Sequence, residues 1–515
     1  MRRISRALGA VAACGALVTG VVTGVASAQV EQRGDAGHRA DIAWGPCEEM
    51  PAVECGTAEM PVDWGRPRGE KFDLVLARRK ATDPAARKGV LFVNPGGPGG
   101  SGVDFVMAAD TYFSAELLAK FDVIGVDPRG VARSNPVVCS AEKVAQQPSS
   151  YPADQAGFEA LRRYNRELAA DCRERTGPLF DHVDTLSGVE DMDAVRRSLG
   201  ERELSYYGVS YGTLIGQQYA QRHGDRVRAM VIDSNMDHDQ GTWEFGTKEA
   251  VGAEDSFLEF VAWCGRDASC ALHGRDVPAL WKQLLDRAER GELTHPNVPG
   301  LALDRAFLRS LVLGALYGPS WPGIADFLVA LEAQGGSAVA GAGAREPELA
   351  QNPFEVFCQD WNLPLRDHRE FARLRARSLE LAPNMEGSTL GESAIAACQG
   401  REDAVDNPQG PWRVAPGTPK VLMLNALHDP STPYSWAVGA HRQARGAAVL
   451  LTYEGWGHGV YGRGACADGH ADRYLVDLKV PREGTRCAAV EPSGAAERSR
   501  ASVPGGVGVG RPTWG

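Results

Sequence analysis

The chain has 515 residues, 43% of them hydrophobic, which is too long for one compact core and too apolar for a disordered protein. We therefore expect a main domain with a large insertion or a second lobe. The formal net charge of −11 disfavours nucleic acid and anionic membranes as main partners, because both select basic surfaces. A neutral or cationic small substrate fits this charge better.

The N-terminus has the form of an export signal. Three arginines within residues 2–6 precede an apolar run over 7–25. The small residues that follow predict cleavage after Ala28, so that 1–28 is a signal peptide and the mature protein is secreted, with no membrane contact. The alternatives are an uncleaved membrane anchor, which the Ala, Gly and Thr content disfavours, and lipid attachment at Cys14, which the continuing apolar run disfavours.

Of the 11 cysteines, all but Cys14 lie outside the predicted signal, an even number in a compartment that permits disulfides. The alternative of free buried thiols is reasonable for one or two of them but not for the whole set. Their spacing along the chain predicts five bridges, namely Cys47–Cys55, Cys139–Cys172, Cys264–Cys270, Cys358–Cys398 and Cys466–Cys487. We expect no metal site and no cofactor, because HExxH and dinucleotide motifs are absent and the cysteines suit bridges better than zinc.

Short apolar runs without alternation recur along the chain, as in strands that are buried on both faces of a sheet. They lie at 90–93, 123–126, 204–207, 230–232, 421–424 and 449–453. Helical patterns separate them, for example Val189, Met192, Val195 and Leu199, which form one apolar stripe. Alternating strands and helices predict an α/β fold with a doubly wound, mostly parallel sheet.

The stretch 236–416 breaks this rhythm, because its apolar patterns are mainly helical and are joined by Gly-rich and Pro-containing segments. We interpret it as a helical cap inserted between two parts of the core, 29–235 and 417–490. The tail 491–515, rich in Ser, Gly, Ala and Arg, is expected to be flexible. The helical patterns of the predicted cap lie at 257–263, 277–290, 307–317, 324–334 and 371–381.

Ser210 is the candidate nucleophile. It lies in GVSYG, which fits GxSxG and stands between an apolar strand and a helical pattern. The two glycines permit close chain approach, so a serine can occupy a strained turn with its hydroxyl exposed. GxSxG alone is weakly specific, but this strand, turn and helix context favours a serine hydrolase.

A serine hydroxyl needs a base to accept its proton and an acid to orient that base. His458 is the candidate base, because it lies in the glycine-flanked loop GWGHG directly after an apolar strand. Asp429, at the end of the preceding apolar strand, is the candidate acid, in the chain order Ser, acid, His. Asp233, which ends an earlier strand, is the alternative acid, or else a carboxylate that caps a loop.

The segment NPGGPGGSG follows the first apolar strand and is the candidate oxyanion loop. Its glycines let the backbone approach a substrate carbonyl, so we expect the amide of Gly97, assisted by Gly96, and that of Tyr211 to be the donors. A phosphate-binding loop is the alternative reading, but no GxxxxGK[ST] spacing is present.

These motifs resemble the secreted tripeptidyl aminopeptidases of actinomycetes, which are related to prolyl iminopeptidases within the α/β-hydrolase superfamily. The resemblance covers most of the mature chain, through NPGGPGGSG, FDVIGVDPRG (121–130), YYGVSYGT, FCQDW (357–361), HDPSTPY and GWGHG. It departs at Pro95, where the iminopeptidases have histidine, and this difference disfavours strict proline specificity. Asp127 and Arg129 of DPRG are expected to be structural.

The resemblance implies hydrolysis of short peptides, tripeptides in particular, from free N-termini. We expect the enzyme to be a monomer. Such an enzyme needs a carboxylate in the cap to hold the substrate ammonium group. Asp360 and Glu355 are the first candidates, with Glu244 and Glu249 behind them. A secreted esterase or lipase-like enzyme, a prolyl iminopeptidase-like enzyme and a catalytically inactive binding module are the alternative functions.

Overall fold

The computed structural model describes residues 39–318, 320–335, 348–401 and 405–492. The predicted signal peptide with Cys14 lies outside these residues, as does the predicted tail beyond residue 492. The first residue of that tail, Glu491, forms an ion pair with Arg266 at 3.0 Å. In the described part of the chain, no helix has both the length and the apolar character needed to cross a membrane.

A ten-stranded sheet forms the centre of the fold. The strands, including the two of a separate small ribbon, are β1 (Ile42–Pro46), β2 (Glu54–Pro61), β3 (Lys71–Arg79), β4 (Gly89–Asn94), β5 (Phe121–Val126), β6 (Val138–Ser140), β7 (Leu204–Val209), β8 (Val227–Asp233), β9 (Leu349–Gln351), β10 (Val421–His428), β11 (Ala448–Trp456) and β12 (Arg486–Cys487). The sheet order is β1-β2-β3-β5-β4-β7-β8-β10-β11-β12, and β6 pairs with β9 in the ribbon.

The strands from β5 to β12 in this order pair in parallel, whereas β1, β2, β3 and β5 pair antiparallel. All six predicted apolar runs lie in the parallel part, in β4, β5, β7, β8, β10 and β11. Both faces of this part are covered. Phe92 belongs to the core on the side of Val195, and its neighbour Leu91 belongs to the core on the side of Val103. The predicted doubly wound, mostly parallel sheet is confirmed.

Helices cover the sheet and fill the segment between β8 and β10. They are α1 (Gly102–Met107), α2 (Ala109–Tyr112), α3 (Ala115–Lys120), α4 (Ala141–Ala145), α5 (Gln155–Thr176), α6 (Thr185–Ser198), α7 (Tyr211–Arg222), α8 (Thr242–Arg266), α9 (Val277–Glu289), α10 (Arg305–Ala315), α11 (Trp321–Glu332), α12 (Pro353–Asp360), α13 (His368–Leu381), α14 (Thr389–Ala397), α15 (Tyr434–Gln443) and α16 (Ala465–Asp477), with 3-10 turns at Pro178–His182 and Gly224–Arg226.

Helices α8 to α11 share an apolar core of their own. Its largest members are Trp263, Trp281 and Trp321, all nearly inaccessible to solvent. Trp456, the last residue of β11, belongs to the same cluster and links it to the end of the central sheet. The helical segment therefore packs against the carboxyl-terminal end of the parallel strands.

The five predicted disulfide pairings are confirmed. Each predicted pair is bonded in the structure: Cys47–Cys55, Cys139–Cys172, Cys264–Cys270, Cys358–Cys398 and Cys466–Cys487. Cys358 lies in α12 and Cys398 follows α14, so this bridge fixes two helices of the 236–416 segment to each other.

Candidate active site

Ser210 lies in the one-residue turn between β7 and α7. Its backbone angles, φ 58° and ψ −124°, are strained for a residue with a side chain. The amide of Ser210 donates to the main-chain oxygen of Asp233 at 3.0 Å, which ties this turn to the end of the neighbouring strand β8. The side chain is partly exposed, so the turn presents a serine hydroxyl at the carboxyl end of the parallel strands.

The loop after β4 contacts this turn directly. Gly96 has φ 87°, and a Cβ at this position would lie 2.4 Å from the oxygen of Val209 and 2.7 Å from the nitrogen of Tyr211. Only glycine fits here. The amide of Gly96 donates to Oδ1 of Asn94 at 2.8 Å, so it is not available to a ligand. In the described residues, the amides of Gly97 and Tyr211 have no hydrogen-bond partner, and they are therefore free to donate to an oxyanion.

His458 and Asp429 form a buried pair. Nδ1 of His458 lies 3.0 Å from Oδ1 and 3.1 Å from Oδ2 of Asp429. Asp429 follows β10 and His458 follows β11, and these two strands are neighbours in the sheet. Because Nδ1 faces the carboxylate, Nε2 is the nitrogen left to exchange a proton with a serine hydroxyl.

The loop that follows Asp429 holds its carboxylate in the ionised form. Oδ1 accepts from the amides of Ser431 and Thr432 at 2.9 and 2.8 Å, and Oδ2 accepts from the Thr432 hydroxyl at 3.0 Å. Burial by itself would raise the pKa of Asp429, but His458 and these donors, together with the Ser234 hydroxyl, lower it below the ordinary value. The pair is thus arranged to orient an imidazole and to stabilise its protonated form.

Asp233, the alternative acid, has a different environment. Its carboxylate accepts from the amides of Val460 and Tyr461, both at 2.8 Å, and from the Tyr207 hydroxyl at 2.9 Å. Burial raises its pKa to about 6 despite these donors. Asp233 therefore binds the main chain of the loop that carries His458, whereas Asp429 contacts the imidazole ring itself.

The two first candidates for amine binding do not have a free carboxylate. Asp360 is 0% exposed. It accepts from the amide and hydroxyl of Thr185 at 2.8 and 2.5 Å, from Asn407 at 2.7 Å and from the Tyr211 hydroxyl. Glu355 is buried and forms an ion pair with Arg401. We correct this expectation, because four donors already bind the Asp360 carboxylate, and a substrate ammonium would have to displace a guanidinium from Glu355.

Glu249 and Glu244, the two further candidates, both lie in α8. Glu244 is exposed, whereas Glu249 is buried and only 2% accessible. The Ser388 hydroxyl donates to Glu249 at 2.8 Å, and no other donor to it occurs within the described ranges. Burial raises the pKa of Glu249 well above its ordinary value, and the negative charge of Asp429 adds to this. Glu249 is thus a buried acid close to Asp429 with most of its hydrogen-bonding capacity unused.

The DPRG segment has the structural role expected of it. Asp127 accepts from the Ser101 hydroxyl at 2.5 Å and from the Val103 amide at 3.1 Å, at the start of α1. Arg129 forms a buried two-point ion pair with Asp191.

Sequence patterns did not reveal the contribution of Ser234 and Thr432 to the site. The Ser234 hydroxyl accepts from the amide of Gly459 at 2.7 Å, and the Thr432 hydroxyl lies 3.3 Å from Nδ1 of His458. Their place in the sequence could have marked them, since each residue lies within three positions of a candidate acid at the end of a strand.

Comparison with known proteins identifies the family. A model described as "TAP-like protein" matches residues 384–487, and one described as "alpha/beta hydrolase fold" matches residues 89–271. The chain is 30% identical over 485 residues to "Serine protease Hip1" of Mycobacterium tuberculosis (strain ATCC 25618 / H37Rv). The matched region covers 87% of this chain and 91% of that protein.

Two further relatives cover the same share of the chain. "Tripeptidyl aminopeptidase" of Streptomyces lividans is 29% identical over 481 residues, covering 87% of each chain. "Carboxylesterase B" of Mycobacterium tuberculosis (strain ATCC 25618 / H37Rv) is 32% identical over 479 residues, covering 87% of this chain and 90% of that protein. The chain is therefore a serine hydrolase that belongs to the tripeptidyl aminopeptidase family of the α/β-hydrolase superfamily.

Proposed function

We propose that this protein is a secreted serine exopeptidase that releases short peptides, tripeptides in particular, from free N-termini. The observation that carries the proposal is the buried contact between Nδ1 of His458 and Asp429. This contact lies at the carboxyl ends of the parallel strands, as does the strained Ser210 turn. The relatives named serine protease and tripeptidyl aminopeptidase support a peptide substrate.

In this proposal His458 accepts the hydroxyl proton of Ser210 through Nε2, because Nδ1 is engaged by Asp429. The Ser210 oxygen adds to the carbonyl carbon of the scissile peptide bond, and the amides of Gly97 and Tyr211 donate to the resulting oxyanion. The carbon–nitrogen bond then breaks as His458 protonates the leaving amine, which gives an acyl-enzyme. Water, deprotonated by His458, hydrolyses this ester and regenerates the serine.

Glu249 is our proposed anchor for the substrate ammonium group. A Cβ on Gly252, one helical turn along α8, would lie 3.0 Å from the main-chain oxygen of Asp429, so this part of α8 packs against the acid loop. A buried carboxylate with one hydroxyl donor lacks the positive charge that would stabilise its ionised form, and an ammonium group supplies it. An anchor of this kind would select free N-termini and limit how many residues of the substrate peptide enter the site.

The test compares a free tripeptide anilide, its N-acetylated form and a simple ester, with Ser210→Ala as the inactive reference. We expect hydrolysis of the free form only, and we expect Glu249→Gln to raise KM for it by at least about tenfold, the value of one lost charged contact. Glu254→Gln is the matched control, because Glu254 is buried in the same helix but is bonded to the amides of Asn384 and Met385. Equal hydrolysis of free and acetylated peptides would overturn the exopeptidase proposal.

The second candidate is a carboxylesterase, which the similarity to carboxylesterase B favours. It uses the same serine, acid and histidine, and it would be supported by ester turnover with inert tripeptide anilides. Preference for proline anilides would favour an iminopeptidase, and failure of a fluorophosphonate to label Ser210 would favour a binding module.

Export and oligomeric state complete the proposal. Five disulfides are consistent with folding in an oxidising compartment. We propose that the signal is cleaved after Ala28 and that the mature enzyme is a monomer. N-terminal sequencing and light scattering of protein recovered from the culture medium test both statements.

A further inference from the structure

Arg463 is a buried arginine that binds the main chain of the loop carrying His458. Its Nε donates to the oxygen of Gly459 at 3.0 Å, and its Nη2 donates to the oxygen of His458 at 3.2 Å. The residue is 7% exposed. Its guanidinium therefore binds the two carbonyl groups that lie on and next to the candidate base.

The same guanidinium also reaches the segment inserted between β8 and β10. Nη2 of Arg463 donates to the main-chain oxygen of Tyr317 at 2.6 Å. That oxygen accepts from the amide of His458 at 2.9 Å as well, and the Tyr317 ring centre lies 4.9 Å from the imidazole. Tyr317 follows α10, so one carbonyl group of the inserted segment is bonded both to His458 and to the arginine that holds its loop.

Arg463 has no carboxylate partner within salt-bridge distance among the residues that the structure describes, and its Nη1 has no hydrogen-bond partner there. Burying an arginine without an ion pair costs free energy, and an apolar side chain of similar size is often no less stable. A role in stability alone therefore does not explain it. What an arginine offers here is a rigid fork of donors that can bind several carbonyl groups at once.

We propose that Arg463 is a positioning residue that makes the orientation of the His458 imidazole depend on the seating of the inserted segment. The segment contributes the Tyr317 carbonyl, which accepts from the His458 amide directly, and Arg463 joins the same carbonyl to the main-chain oxygen of His458. When the segment is displaced from the sheet, His458 loses the acceptor of its amide and Arg463 loses its nearest acceptor at the same time. This inference rests on the proposed function, because it takes His458 as the catalytic base.

The test is Arg463→Gln, measured per active site after titration with a fluorophosphonate. We expect kcat to fall about 10- to 100-fold, the usual effect of a displacement of about 1 Å in a catalytic group, with KM changed less than about threefold. Arg463→Lys should recover part of the loss, and guanidinium ion should partly restore kcat in Arg463→Ala. A role in folding alone would reduce the number of active sites but not turnover at each of them.

Arg287→Gln is the matched control. Arg287 also donates to three main-chain carbonyl groups, those of Leu331, Glu332 and Gln334, but it lies away from His458 in α9. We expect it to lower Tm without changing kcat per site.

Three results would overturn the inference: unchanged kcat per site in Arg463→Gln, full kcat in Arg463→Lys together with no guanidinium rescue of Arg463→Ala, or an equal fall in Arg287→Gln. Retained activity in His458→Ala would instead overturn the proposed function. If Arg463→Gln does not fold, the lysine variant and the rescue decide the outcome.

Discussion

The phenol of Tyr211 donates a hydrogen bond to the carboxylate of Asp360, which joins the residue after the candidate nucleophile to the end of α12. The acid is buried, and burial together with the nearby charge of Asp184 raises its pKa to about 7 against the effect of its donors. The site is thus connected to a group that can change its protonation state near neutral pH.

Asp360→Asn should change the pH dependence of stability. Because the pKa of Asp360 is higher in the folded protein (about 7) than that of an ordinary aspartate (3.8), its contribution to stability is complete below the lower value and is lost as pH rises through the higher one. Asparagine has no such loss, since the hydroxyls of Thr185 and Tyr211 can accept from its amide. Tm of the variant relative to wild type should therefore rise from about pH 4 to about pH 7 and stay level above that. A difference in Tm between variant and wild type that does not change with pH would contradict the raised pKa of Asp360.

Asp429→Asn should lower kcat by about 10³- to 10⁴-fold with little change in stability, because the amide group cannot hold the imidazole in the required tautomer. Asp233→Asn is the comparison. Amides bind both oxygens of the Asp233 carboxylate, Val460 at Oδ1 and Tyr461 at Oδ2, whereas both amides that bind Asp429 reach Oδ1 alone, which an asparagine oxygen can replace. For Asp233→Asn we therefore expect a larger fall in Tm and a much smaller fall in kcat. Anilide turnover and thermal unfolding of both variants check this. The reverse pattern would make Asp233 the catalytic acid.

Gly96→Ala should reduce kcat by at least about 100-fold, the effect of losing one oxyanion donor. The added methyl group would overlap the oxygen of Val209 and the nitrogen of Tyr211, so the loop after β4 must move away from the Ser210 turn. Steady-state kinetics with the best anilide substrate measure this. Activity close to wild type would show that the loop does not contribute to the oxyanion site.

Gly188→Ala should stabilise the protein. Gly188 lies in α6 beside a mainly apolar cavity of about 60 Å³, and a Cβ there would meet nothing within 4 Å. Alanine in a helix gains roughly 0.5–1 kcal/mol over glycine. Gly177→Ala is the control, since it also has open space but has φ 78° and should destabilise. Urea unfolding of the two variants should give shifts of opposite sign, and shifts of equal sign would refute this.

Much of the sheet could be predicted from the sequence, because parallel strands covered on both faces are continuous apolar runs. The antiparallel strands β1, β2 and β3 were missed. β3 carries a usable signal, in which the buried Phe72, Leu74 and Leu76 alternate with more exposed residues. β1 and β2 contain Gly and Pro and lie at the edge of the sheet, where burial imposes less of a pattern.

The site could be predicted as residue types but not as contacts. The motifs selected Ser210, His458 and Asp429, yet they left Asp233 open because both acids end a strand. Hydrogen bonds distinguish the two acids, because Asp429 contacts the imidazole of His458 and Asp233 contacts main-chain amides. Both Glu249 and Asp360 are buried, and they differ in their hydrogen-bond donors, of which Glu249 has one and Asp360 has four. No local pattern could have shown this, since the donors to Asp360 lie more than 40 residues away along the chain.

Asp233 joins parts of the site that are far apart in the sequence. Its carbonyl oxygen accepts from Ser210 and its carboxylate accepts from Val460 and Tyr461. A growing or partly folded chain in which β10 and β11 have not yet joined β8 would have the serine without its histidine. Hydrolysis that depends on both residues therefore requires β10 and β11, from near the carboxyl end of the chain, to be in place beside β8.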